Sequence, residues 1–162
     1  GRDFVRDLNR HRIFVDLAHI NEAGFWDAVD CHDPSLPMIV THTGVDGVCK
    51  HWRNLTDDQI RVIADSGGTV GIIFEPSFLK RAFGPRDGNM VIEHMAHIIH
   101  VVGEDFVSIG TDYDGMISPP EGLSDPKYGV LVAQMLERNW STERIQKILG
   151  GNFLRSFKEL RP

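Results

Sequence analysis

His19 and His42 each stand just past a short apolar run, Ile13-Phe14-Val15-Asp16-Leu17-Ala18 and Met38-Ile39-Val40-Thr41. A third run, Phe106-Val107-Ser108-Ile109-Gly110-Thr111, delivers Asp112 in the same way. Imidazole nitrogens and carboxylate oxygens are the donors that a catalytic zinc takes, typically three from the protein with a fourth position left open. A carboxylate beside such a metal can carry a proton to or from the reacting atoms. Taken singly, each histidine reads more readily as a hydrogen-bonded structural residue. Their equivalent positions, 23 residues apart, bring the metal reading level with it. Asp112-Tyr113-Asp114-Gly115 is either an Asx-type turn or a loop whose first carboxylate, Asp112, faces a site. A calcium loop is not supported, because the later oxygen ligands it needs are absent. Arg53, in the loop after His42, is suited to gripping a carboxylate through two hydrogen bonds, or is simply solvated.

Other candidates carry less. On a helical projection, Val91, Met95, Ile98, Ile99 and Val102 share one face. His94, His97 and His100 fall on the other side and read as outer-face residues of the helix. Glu75 follows an apolar run, but Pro76 beside it suits a turn. His32 and His51 show no usable pattern. With no glycine-rich phosphate loop after a strand and no Gly-x-Ser-x-Gly, nucleotide binding and serine hydrolysis lack support.

The elements that must position these residues alternate between strand and helix. Apolar runs at 13–18, 38–41, 69–74 and 106–111 read as buried strands. Helices are expected over 3–9, over 22–31 with Asn21 as cap, and after Thr56, where Gln59 completes a capping box and Gly67-Gly68 ends the helix. Further helices are expected over 89–102, near 128–138, over 142–149 with Ser141 as N-cap, and over 151–160. Residues 75–88 and 113–127 read as loops, the second on the same side as Asp112. Alternating strands and helices imply a parallel sheet. Polar side chains at the C-terminal ends of such strands are how a (β/α)8 barrel builds its site. Four strands in 162 residues are half of what a closed barrel needs. The expected fold is therefore α/β: a partial TIM (β/α)8 barrel of about four C-terminal β/α units plus C-terminal helices, forming one domain over 1–162.

Composition narrows the function classes. A formal charge of −6 argues against nucleic acid as a partner. No apolar stretch approaches the roughly 20 residues that span a bilayer. Two cysteines, Cys31 and Cys49, make no disulfide framework and read as reduced thiols of a cytoplasmic protein. The chain opens on Gly1, inside a predicted helix, and so reads as a fragment.

At these residues the chain resembles the membrane (renal-type) dipeptidases, zinc peptidases of the amidohydrolase-like barrels. The matching pieces are Val15-Asp16-Leu17-Ala18-His19, Thr41-His42-Thr43, Val48-Cys49 leading to Arg53-Asn54, Gly110-Thr111-Asp112-Tyr113-Asp114-Gly115, Pro120-Glu121-Gly122-Leu123, and Arg138-Asn139-Trp140 through Gly151-Asn152-Phe153-Leu154-Arg155. They are ordered, correctly spaced and spread over nearly the whole chain. The resemblance implies a binuclear Zn2+ site in a TIM-like barrel that hydrolyses small dipeptides through a metal-bound hydroxide. It implies that His19 and His42 ligate one zinc, that Arg53 grips the substrate's C-terminal carboxylate, and that Asp112 handles the proton near the metals.

The family's His-x-Asp pair, its metal-bridging glutamate and a substrate-contacting histidine belong to the half of the barrel that this chain does not contain. Alone, His19 and His42 are two ligands where a catalytic zinc usually has three, and four strands leave two open sheet edges, an aggregation hazard. Two rival expectations follow: a non-catalytic half-barrel that binds metal weakly or folds by association, and a metal-dependent amidohydrolase of another small amide. The partners expected are a dipeptide substrate and either a second copy of the chain or a complementing N-terminal half.

Overall fold

The computed structural model describes residues 1–115, 118–124 and 128–162. Of the expected loop over 113–127, residues 116–117 and 125–127 lie outside the described residues.

The chain opens with helix α1 (Arg2–Arg10), strand β1 (Val15–Asp16), helix α2 (Glu22–Cys31) and strand β2 (Met38–Thr43). Next come α3 (Asp57–Asp65), β3 (Thr69–Ile72), the single turn α4 (Pro76–Leu79), α5 (Asn89–Val102) and β4 (Val107–Ile109). The C-terminal segment is helical: α6 (Gly129–Glu137), α7 (Thr142–Gln146), a π turn over Lys147–Gly151, and α8 (Asn152–Leu160). The strands form one sheet in the order β1-β2-β3-β4, and every pairing is parallel. This sequential strand–helix succession is the arrangement of half a TIM barrel.

Local chemistry explains the helix starts. Asn21 accepts the Gly24 amide at the head of α2, and Thr56 with Gln59 forms a complete capping box on α3. Ser141 accepts the Arg144 amide and caps α7. Gly67, at φ 81°, takes the left-handed conformation that ends α3 and that glycine adopts without steric cost. Val70, Ile72, Ile73 and Phe74 are all buried, as expected for a parallel strand covered on both faces. Against them and the helices packs a core that includes Phe25, Ile60, Ile63, Met95 and Ile98.

All four strands depart from the runs read in the sequence. β3 stops at Ile72 and β4 is confined to Val107–Ile109, while β1 and β2 differ for reasons that bear on the site. β1 is only two residues long because the Asp16 carboxylate takes over the ladder. Its Oδ1 accepts the Thr41 amide at 3.0 Å and the Ala18 amide at 3.1 Å. β2 runs two residues further than expected and contains a bulge. Val40 pairs with Val70 but Thr43 pairs with Ile72, so β2 advances one residue more than β3.

α8 crosses the N-terminal ends of the strands. Asn152 Nδ2 donates to the carbonyls of Glu104 and Val107, Ser156 Oγ to Gly67 O, and Arg161 Nε to Arg12 O. The opposite, C-terminal ends of the strands carry His19, His42 and Asp112. Among the described residues, Cys31 and Cys49 are free thiols and no helix is long and apolar enough to cross a membrane.

Candidate active site at the C-terminal ends of the strands

His42 lies inside β2, not one step past it as the sequence suggested, and the bulge gives it its direction. In a regular strand, neighbouring side chains point to opposite faces. Here Thr41 and His42 share one side, with Thr41 Oγ1 2.9 Å from His42 Nδ1. The Thr41 hydroxyl donates to Asp16 Oδ2 at 2.7 Å. Its one proton being spent there, it can only accept from His42 Nδ1–H. His42 Nε2 is thereby left with a lone pair, the tautomer a metal requires. That lone pair faces His19: the two Nε2 atoms are 2.7 Å apart and the rings meet edge to face at 4.7 Å between centroids.

Asp112 closes on this pair from β4, its Oδ2 4.0 Å from His42 Nε2. Its backbone has φ 58°, a left-handed conformation that aspartate tolerates better than most residues. A Cβ on Gly115 would sit 2.4 Å from Asp112 Oδ1, so a side chain there would displace the Asp112 carboxylate. Burial pushes the His42 pKa below its ordinary value. The Asp112 charge opposes this, His19 and Arg53 add to it, and Asp16 offsets part.

Arg53 is 9% exposed, so it is not the solvated loop residue that its spacing alone favoured. Its guanidinium carbon lies 5.6 Å from the centre of the Phe78 ring and 5.9 Å from that of Trp52. Burial lowers its pKa, and the charges of Asp112 and Asp16 oppose that. Among the described residues no carboxylate forms an ion pair with it. The same side chain lines a cavity of about 160 Å3 with Glu22, Asp46, His51 and Trp52.

Four further findings concern residues read differently, or not at all, in the sequence. Asp16 and Thr41 orient His42, yet neither was singled out for a role; only their contact in space gives them one. His51 stacks on Phe78 at 4.5 Å and accepts the Arg53 amide at 3.2 Å. Glu75 serves as the N-cap of α4, accepting the Ser77 amide. The reading of the three α5 histidines as outer-face residues is corrected. Only His100 is exposed; His97 is partly buried on Asp57, and His94 is 0% exposed. Helix α5 is covered on a second face by α4 and the 44–55 loop, which the apolar stripe alone does not reveal.

The histidine pair suits part of a zinc site. Two ligands of a tetrahedral zinc at about 2.0–2.1 Å stand roughly 3.3 Å apart, so the rings need to separate by only about 0.6 Å. They do not make a whole site: among the described residues no group of three or more His, Cys, Asp or Glu is set to hold a metal.

Comparison with known proteins agrees with this architecture. The chain is 35% identical over 161 residues to the dipeptidase tcpJ of Claviceps purpurea, covering 99% of this chain and 37% of that protein. It is 34% identical over 164 residues to an uncharacterized protein in the pqqA 5' region of Klebsiella pneumoniae, covering 99% of this chain and 59% of the other. The crystal structure of a Rhodobacter sphaeroides metallo peptidase, liganded with a phosphinate mimic of the dipeptide L-Ala-D-Ala, superimposes with a TM-score of 0.90 at 34% identity. That match covers 99% of this chain and 46% of the other. The chain thus spans about half the length of the relatives it matches. Residues 1–161 match the description "Membrane dipeptidase (Peptidase family M19)", and the chain belongs to that family.

Proposed function

We propose that residues 1–162 form a single domain, the C-terminal half of a dipeptidase-like barrel, contributing half of a zinc-dependent site for dipeptide hydrolysis. The observation that carries this is the meeting of His19 and His42 through Nε2, with the Asp112 carboxylate 4.0 Å from His42 and a buried Arg53 nearby that pairs with no carboxylate among the described residues. His19 and His42 would hold the metal. A zinc held there would supply a Lewis acid for a carbonyl oxygen and for a water. Asp112 takes the proton of the attacking water and returns it to the departing amine nitrogen, so that one dipeptide and one water give two amino acids. Arg53, stacked on Phe78, receives the substrate's C-terminal carboxylate bidentately. Family membership and the dipeptide mimic held by the Rhodobacter relative support the substrate class.

Two histidines fall short of the three ligands usual for catalytic zinc. The remaining donors come, on this reading, from the other four β/α units, whether on the same polypeptide or on a complementing one. The test is zinc calorimetry together with dipeptide hydrolysis, for the chain alone and combined with a polypeptide supplying those units. Weak zinc binding alone, abolished by His19→Ala and weakened about 10- to 100-fold by Thr41→Val, is expected. So is activity on combination that Asp112→Asn removes. Tight stoichiometric zinc and turnover by the chain alone would refute the half-site; a combined barrel with no zinc-dependent activity would refute the dipeptidase assignment.

A further inference from the structure

The loop over 44–55 that delivers Arg53 is cinched at its base. Thr43 Oγ1 donates to Arg53 O at 2.8 Å, Gly44 N to Asn54 Oδ1 at 3.1 Å, and Asp46 N to Leu55 O at 2.9 Å. The first of these ties the loop to the end of β2. Two bonds reach the α4 segment directly, Asn54 Nδ2 donating to Phe78 O at 2.8 Å and Cys49 Sγ to Lys80 O at 3.3 Å, and a side chain from α5 adds a fully buried link beside them. His94, fully buried, accepts the Val45 amide on Nδ1 at 2.8 Å. Because Nδ1 accepts, the ring proton sits on Nε2, which donates to Leu79 O at 3.1 Å. Leu79 is the last residue of α4 and follows Phe78, the ring on which the Arg53 guanidinium rests. One imidazole therefore ties the segment that carries Arg53 to the segment that carries its aromatic shelf. One helical turn further, the His97 ring occupies the space where a Cβ on Gly47 would stand, with its Nε2 on Asp57 Oδ1 at 2.7 Å.

We propose that His94 is a positioning residue for carboxylate recognition: it sets where Arg53 sits relative to Phe78 without touching substrate. This rests on the reading of Arg53 as the group that receives the substrate carboxylate. An aliphatic residue would fill the same core space but leave the Val45 amide buried without an acceptor. Burial holds the ring neutral, which keeps the Nδ1 lone pair available to Val45.

Two substitutions separate its two bonds. His94→Asn keeps a carbonyl oxygen near the Nδ1 position, facing Val45, and loses the donor to Leu79. His94→Gln keeps an N–H near the Nε2 position, facing Leu79, and loses the acceptor for Val45. The 15N-labelled chain, metal-free in chelator, is titrated with N-acetylglycine, a probe with a carboxylate and no amine. Binding is read on the Arg53 Nε–H resonance, and loop opening on exchange of the Val45 amide proton. Each variant breaks one half of the tie, so both are expected to bind the probe at least about fivefold more weakly than wild type, with Val45 exchange faster by a similar factor only in His94→Gln, as a buried unmade bond requires. Either variant binding within about twofold of wild type, or Val45 exchanging equally fast in both, overturns the proposal. An Arg53→Ala chain that binds the probe like wild type would refute the carboxylate role of Arg53 instead. Val45 exchange then still decides whether His94 holds the loop.

Discussion

Acidification should destabilise this fold through one residue more than any other, His94. The ring is 0% exposed and makes both of its hydrogen bonds as a neutral group. Burial lowers its pKa from 6.5 to about 4. The Leu79 carbonyl and Glu93 pull it back up, while His97 and Arg81 push it further down. In the unfolded chain the imidazole titrates at its ordinary value. Between about pH 6.5 and 4 the unfolded state therefore binds more protons than the folded one, and stability falls as pH falls. Above 6.5 the contribution is fully present. Each tenfold change in proton affinity is worth about 1.4 kcal/mol, so the whole interval amounts to roughly 3 kcal/mol, a large part of a domain's usual net stability. His42, also lowered by burial, adds a loss in the same direction. Urea unfolding followed by circular dichroism at half-unit pH steps from 7.5 to about 4 measures the slope. His94→Asn, unable to titrate, should start less stable at neutral pH and lose about 3 kcal/mol less on acidification, so that the two curves converge or cross. Parallel curves for wild type and variant would refute the assignment of the acid loss to His94.

Packing supplies two further predictions. A Cβ on Gly110 would lie 1.9 Å from the Thr41 carbonyl oxygen, a backbone atom that cannot swing aside. Gly110→Ala should cost about 3 kcal/mol or more. Gly129→Ala meets nothing within 4 Å in a helical position and should stabilise by up to about 1 kcal/mol; urea midpoints compare the two. Asn152 is buried and its Nδ2 serves the carbonyls of Glu104 and Val107, so Asn152→Ala should cost about 2 kcal/mol and lower the thermal midpoint by roughly 5 °C. A midpoint shift within about 1 °C would show that α8 is held to the strand ends by its apolar contacts instead.

The signals legible in the sequence are those that act over four or five residues. Asn21, the Thr56–Gln59 box, Ser141 and Gly67 each mark a helix end through a bond or a dihedral that the local chain sets for itself, and the helix over 89–102 has the bounds its pattern predicted. Four apolar runs were enough for four parallel strands and a half-barrel. Features that depend on contacts across the fold were not legible. A bulge adds one residue to a run buried on both faces, where no alternation exists to be broken. Asp16 shortens β1 by bonding across to Thr41, 25 residues away. The burial of His94 needs α4, a helix of four residues too short to show a period. At the candidate site, the strand-end positions of His19, His42 and Asp112 anticipated their meeting in space. The tautomer of His42 and the aromatic bed of Arg53 had no sequence signal.

The bulge in β2 reaches beyond the strand that contains it. By turning Thr41 and His42 to one side it also drives the Thr41 carbonyl over the neighbouring strands, where a Cβ on Gly71 would lie 2.1 Å and one on Gly110 1.9 Å from its oxygen. The extra residue in one strand and the two missing side chains in the next two are thus sterically coupled, because a side chain at either glycine would collide with the displaced carbonyl. A lineage that straightened β2 by losing one residue would release positions 71 and 110 to carry side chains, and would lose the direction of His42 in the same step. Across distant relatives, strand length at this point and side-chain size at those two positions should therefore change together.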